Sequence, residues 1–153
     1  MSSSFTPSAP HVIIAGFGLP GRAVAEALDH LHIPYCVLEQ NPATVTRCAK
    51  SGTHIVEGDV RNPEVLKRAH LETATALVIA IPDEKAALEA TRVAREISST
   101  VKIISRTHYV STGMEAKVRG ADAVIIAEQC VAAALSRTVS ELLEPATSSP
   151  TNT

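Results

Sequence analysis

A chain of 153 residues, 45% hydrophobic and 20% charged, has the size and balance of one globular domain, needing neither disulfides nor a structural metal to hold its core. Its formal charge of -2, from 14 basic and 16 acidic residues, gives no positive field for nucleic acid, and an aromatic content of 3% without Trp leaves no stacking platform for single strands. Cys36, Cys48 and Cys130 form no CxxC pair, which points to a reducing, cytoplasmic compartment, and neither a spanning apolar run nor a signal-peptide order is expected, so the chain has no direct membrane insertion.

Residues 1–10 are rich in Ser and Pro with little to bury, and read as a mobile tail. His11–Ala15 is a short β-branched run without period-2 alternation, the pattern of a strand covered on both faces. It leads directly into Gly16-Phe17-Gly18-Leu19-Pro20-Gly21, and Val24, Leu28 and Leu31 then keep helical spacing in a helix read over Arg22–Leu31. In a GxGxxG turn between strand and helix, Gly16 permits the tight turn, Gly18 lets backbone approach a pyrophosphate and Gly21 lets the helix pack closely. The anion then meets free N–H groups at a helix N-terminus. The competing reading is a glycine turn that serves packing alone.

Tyr35–Leu38 is the second strand run, and Glu39 at its end lies 18 residues after Gly21. That is near the offset of about 20 expected for the acid that accepts both ribose hydroxyls. A carboxylate there repels a 2'-phosphate, which favours NAD, AMP, ADP or ATP over NADP; the plain alternative is an exposed strand-end Glu. Asn41-Pro42 opens the next helix and Gly52 ends it. After the third run, His54–Val56, Gly58-Asp59-Val60 falls at the adenine edge of the crevice, where Asp59 either accepts from the exocyclic amine or caps the helix. Asn62-Pro63 marks that helix start.

The fourth run, Ala76–Ala80, ends in the rigid apolar wall Ala80-Ile81-Pro82, with Asp83 as a helix cap. Val101–Ser105 is the fifth, followed by Arg106, which either offsets phosphate charge or pairs with a structural carboxylate. His108 is the sole acid/base candidate near a strand exit, against the plainer reading of a surface histidine. Gly120 closes a helix, Ala123–Ala127 is the sixth run, and Cys130–Leu143 forms a last helix with Val131, Leu135, Val139 and Leu142 on one stripe. His30 and His32 point apart at a helix end, so no metal is expected, and no catalytic residue is assigned. Residues 145–153 read as a second tail. Six βα units with right-handed crossovers give an α/β fold, a Rossmann-type doubly wound parallel six-stranded sheet of order 3-2-1-4-5-6 with helices on both faces, spanning residues 11–144.

Taken together, HVIIAGFGLPGRAVAEAL, YCVLEQNP, VEGDVRNPEVLKRA, ALVIAIPDEKAAL, VKIISRTHY and GADAVIIAEQ resemble the nucleotide-binding N-terminal half of the RCK family, also called the TrkA-N or KTN domain. The resemblance covers His11 to about Leu143 and is closest to the cytosolic domains of Kef-type potassium/proton antiporters. It implies a regulatory domain that binds NAD(H) or AMP, ADP or ATP, forms a homodimer and biases a cation transporter or channel. Such a domain is cytoplasmic and peripheral to the inner membrane through its partner. Carried onto this chain, Gly16, Gly18 and Gly21 hold phosphate, Glu39 the ribose and Asp59 the adenine. Phe17, Leu19, Pro20, Gln40, Gly58, Val60, Ala80, Ile81 and Pro82 complete the contact set, with Arg106 and Glu128 near the ligand or the dimer interface.

This chain departs from the pattern at Leu19-Pro20, where members that bind ATP often carry Arg, and no C-terminal RCK subdomain follows the last helix. The resemblance implies a last helix that crosses to a neighbouring subunit; packing on its own sheet is the alternative. A small NAD-dependent oxidoreductase uses the same turn, but no catalytic segment accompanies it here. A methyltransferase sheet would end in an antiparallel hairpin, and a stand-alone nucleotide-binding scaffold is the remaining alternative.

Overall fold

The β-branched runs pair as six strands in a computed structural model that describes residues 9–145. The two expected tails, 1–10 and 145–153, lie almost wholly outside the described residues. The strands are β1 (Val12–Ala15), β2 (Tyr35–Glu39), β3 (Ile55–Glu57), β4 (Ala76–Ile79), β5 (Lys102–Thr107) and β6 (Ala123–Ile126). All neighbours are parallel, in the doubly wound order β3-β2-β1-β4-β5-β6 expected from the sequence. Each crossover carries a helix: α1 (Leu19–His30), α2 (Pro42–Lys50), α3 (Pro63–Arg68), α4 (Glu84–Ile97) and α5 (Val110–Val118), with α6 (Ala127–Leu143) after the last strand.

Both faces of the central strands are covered, which explains the unbroken apolar runs. On one face Ile13, Leu38, Leu77, Ile79 and Ile103 pack with Leu66, Leu71, Ala87 and Ala90; on the other Val12 and Ile14 meet Ala25 and Leu28 of α1. Helix starts follow the sequence signals. The side chains of Asn41, Asn62 and Asp83 accept from the backbone N–H of Ala43, Glu64 and Ala86 at 3.0, 2.9 and 2.9 Å. Because Asn62 caps α3, the helix-capping alternative for Asp59 is incorrect. Gly52 and Gly120 follow α2 and α5 at positive φ, as read.

Each strand differs from its sequence reading by one or two residues at an end, α6 begins at Ala127 rather than Cys130, and larger differences fall at α1 and before β4. Helix α1 begins at Leu19 rather than Arg22, since Pro is compatible with a first turn whose N–H groups have no partner one turn back. Leu31 closes α1 and is exposed rather than part of its packed face. A 3-10 turn at Leu71–Thr73, absent from the sequence reading, joins α3 to β4 and buries Leu71.

Glu84, the first residue of α4, fastens the β5–α5 connection. Its Oε1 accepts the N–H groups of His108 and, at 3.3 Å, Tyr109, while its Oε2 accepts the Thr112 hydroxyl at 3.2 Å. These donors favour the carboxylate, the His108 N–H most, and hold the Glu84 carboxyl below its ordinary range. A lowered folded pKa adds stability that is complete above the unfolded value and disappears as the pH falls through the folded one. Glu84→Gln is therefore expected to lower the denaturation midpoint near neutral pH, and the gap to the parent chain should close in acid below the carboxylate range. Urea melts at the two pH values check this; a gap that is the same at both would assign Glu84 no such role.

Helix α6 stands apart. None of its 17 residues is buried, and Val131, Leu135, Val139 and Leu142 are 54–78% exposed, so the alternative that it packs on its own sheet is wrong. No helix among the described residues is long and apolar enough to cross a membrane.

Candidate functional site

The carboxyl ends of β1, β2 and β4 enclose a cleft of about 490 Å³, within the range of small-molecule sites. In doubly wound sheets the crevice forms here, where connections leave the central strands in opposite directions. Every residue read as a ligand contact lines this cleft except Gly21.

The glycines divide by what holds them. Gly16 sits at φ +92°, and a Cβ there would lie 2.9 Å from Ile81 Cγ2. Its N–H donates to Leu38 O at 2.9 Å, which ties the corner to β2. Gly21 lies beneath the corner, in the first turn of α1, where a Cβ would come within 2.0 Å of Gly16 O. Gly18 is different. It has an ordinary extended φ of -74°, it lines the cleft, and a Cβ added to it meets no protein atom within 4 Å. Nothing in the fold requires glycine at that position. Pro20, in the first turn of α1, offers the cleft no N–H.

Glu39 faces the corner from the neighbouring strand. Its Oε2 accepts the Phe17 N–H at 3.0 Å, and its Oε1 accepts those of Gln40 and Asn41 at 2.9 and 3.0 Å. A carboxylate has about four lone-pair directions, so these three bonds leave one for a further donor. The plain alternative of a solvated strand-end Glu does not hold.

At the β3 end, Asp59 is clamped by Arg61. The Arg61 Nη2 donates to Oδ2 at 2.6 Å, its Nε reaches both oxygens at 3.0 and 3.1 Å, and its backbone N–H donates to Oδ1 at 2.9 Å. The Arg61 side-chain hydrogen bond holds the Asp59 carboxyl below its usual range. Gly58 brings the chain against α3, since a Cβ there would fall 2.5 Å from Val65 Cγ2. Opposite, Ile81 and Pro82 form the wall. Arg106, half-buried on β5, reaches the same cleft, and no carboxylate of the described residues pairs with it.

Sequence reasoning missed Arg61, Leu38 and Ala86 as lining residues, and took Asn41 and Asp83 only as caps. Arg61 stands two residues from Asp59 and carried no motif to single it out. Conversely, Glu128 does not line the cleft; its N–H donates to His108 O at 3.1 Å. His108 is also outside the lining.

The sequence matches the family model described as the TrkA-N domain over residues 12–127. The chain belongs to the TrkA-N domain family. It is 34% identical over 134 residues to the putative cation/proton antiporter YbaL of Escherichia coli, matching 88% of this chain and 23% of that protein. It is 35% identical over 115 residues to the putative K(+) efflux antiporter KefB of Alkalimonas amylolytica, matching 75% of this chain and 17% of that one. The chain thus spans less than a quarter of the length of these relatives.

Among solved structures, the TrkA-N domain of the Escherichia coli inner membrane protein ybaL superposes with a TM-score of 0.80 at 33% identity, covering 89% of this chain and 98% of that one. The Kef CTD of Shewanella denitrificans in its AMP-bound form gives 0.78 at 24% identity, covering 89% and 82%. The latter likeness is one of fold.

Proposed function

We propose that this TrkA-N domain binds an adenine nucleotide or dinucleotide in the cleft, without transforming it, and passes its occupancy to a membrane cation transporter or channel. The observation that carries this reading is Gly18, a glycine that the protein's own packing does not need, on the cleft wall at the start of α1. A bare backbone there admits an anion to the helix N-terminus. Glu39 accepts a ribose hydroxyl with its remaining lone pair, the Gly58–Val60 edge receives the base, and Arg106 meets phosphate charge.

Turnover is the weaker reading because the carboxylates of the cleft are committed to the scaffold. Glu39 holds three N–H groups, Asp83 caps α4 and Asp59 grips Arg61. The name of the Shewanella Kef structure supports AMP as one ligand class, and those of YbaL and KefB support a transporter as the partner. A domain without a spanning helix would then work at the cytoplasmic face of the membrane through that partner. Helix α6, with its apolar stripe bare, supports a homodimer.

Calorimetric titration with AMP, ATP, NAD and NADH tests the reading. Glu39→Ala is expected to weaken binding at least tenfold, about 1.4 kcal/mol, through loss of the ribose contact and of the corner's anchor. With one lone pair left, either the 2'-deoxy or the 3'-deoxy analogue of the bound nucleotide should lose affinity, but not both. Binding indifferent to Glu39 would remove the site, and substrate-dependent NADH oxidation would favour a dehydrogenase.

A further inference from the structure

The charged groups of the cleft carry the reading above one step further, to the class of nucleotide. Three carboxylates line it, Glu39, Asp59 and Asp83, against two guanidiniums, Arg61 and Arg106, and no lysine. Arg61 spends its Nε and Nη2 donors on Asp59, so its charge is already balanced. Arg106 is left as the cation with no protein carboxylate on it among the described residues. The helix N-terminus that would share the work lacks a donor at Pro20.

We propose that the cleft takes an adenine nucleotide of low negative charge, a monophosphate or a dinucleotide, and rejects one with a free triphosphate. This rests on the nucleotide reading of the site. A phosphate is held by charge-assisted donors, and one guanidinium with a shortened set of helix N–H groups serves one phosphoryl unit or a pyrophosphate whose charge is shared. Each further ionised phosphate enters a lining with a surplus carboxylate, where separations of a few ångströms and partial exclusion of water make repulsion count. Asp83 is the lining carboxylate assigned to neither ribose nor base, and so the one left to oppose the added charge. It caps α4 through one oxygen and belongs to the wall opposite Glu39.

The test is titration of the full chain with AMP, NAD, ADP and ATP at fixed ionic strength without divalent cations. AMP and NAD are expected to bind at least tenfold tighter than ATP, with ADP between. Raising the salt should narrow the gap, because exposed charge repulsion is screened. Asp83→Asn, which keeps an N-cap acceptor, should shift the ATP-to-AMP affinity ratio toward ATP by about threefold. ATP binding as tightly as AMP overturns the proposal, as does a ratio unmoved by both salt and Asp83→Asn. Failure of all four ligands to bind overturns the nucleotide reading itself, and the selectivity with it.

Discussion

Gly18→Ala is expected to leave the domain folded and to weaken nucleotide binding at least tenfold, whereas Gly21→Ala is expected to destabilise it severely. At Gly18 the added methyl meets no protein atom within 4 Å and the backbone is already extended. Two small terms then oppose each other. The unfolded chain loses freedom, worth about 0.4–1 kcal/mol in favour of the variant, and the N-cap loses a residue type it prefers to Ala, worth about 1 kcal/mol against it. The denaturation midpoint should hardly move. The methyl would stand where a phosphate must approach, so affinity should fall at least tenfold.

At Gly21 the same methyl lies 2.0 Å from Gly16 O, a backbone atom that cannot swing aside. Overpacking against flexible side chains costs about 1–3 kcal/mol, and a clash with the corner itself belongs at or beyond the upper end. A domain of ordinary stability, roughly 5–15 kcal/mol, loses much of its margin. Circular dichroism melts and calorimetry on the pair separate the two roles. Equal loss of stability in both variants would mean that the corner serves packing alone.

The second large effect is expected at α6. If the chain forms the proposed homodimer, Leu135→Asp should convert it into a monomer while leaving the melting temperature of the Rossmann core in place. Seventeen residues make a helix about 25 Å long, and most of the stability of a helix in a protein comes from packing its apolar face rather than from propensity. Its apolar stripe, Val131, Leu135, Val139 and Leu142, touches nothing that buries it in its own chain. In the proposed homodimer a second copy would supply the missing face, and a carboxylate at its centre would have to lose its water. Association should weaken by at least about thirtyfold, the effect of losing an interface residue worth about 2 kcal/mol. Light scattering across the micromolar range reads the mass. A parent chain that stays monomeric there would rule out this use of α6.

Much of the fold was legible because punctuation and composition agreed. Asn41-Pro42, Asn62-Pro63 and Asp83 cap the helices they announced, and the β-branched runs are strands, the central ones buried on both faces while β3 and β6 at the sheet edges stay partly open. The corner and its acid were legible for the same reason, since their spacing is fixed by one βαβ unit. What escaped was tertiary. Nothing near Glu84 in the sequence points to the backbone of His108 and Tyr109, and nothing near Asp59 states that Arg61 will fold back on it. The early start of α1 escaped because Leu19-Pro20-Gly21 reads as loop by propensity, while a first turn tolerates all three.

The sheet order has a kinetic corollary. Strand β1 is made early, yet it lies between β2 and a strand that leaves the ribosome far later, as the pairing of Val12 with both Tyr35 and Ala76 shows. Such non-local pairing slows folding, and the cleft, with one wall on each side of β1, comes into being only when the two halves have joined. A molecule lodged there bridges halves that meet last, so it should raise the melting temperature of the domain as one cooperative unit and not of either half alone.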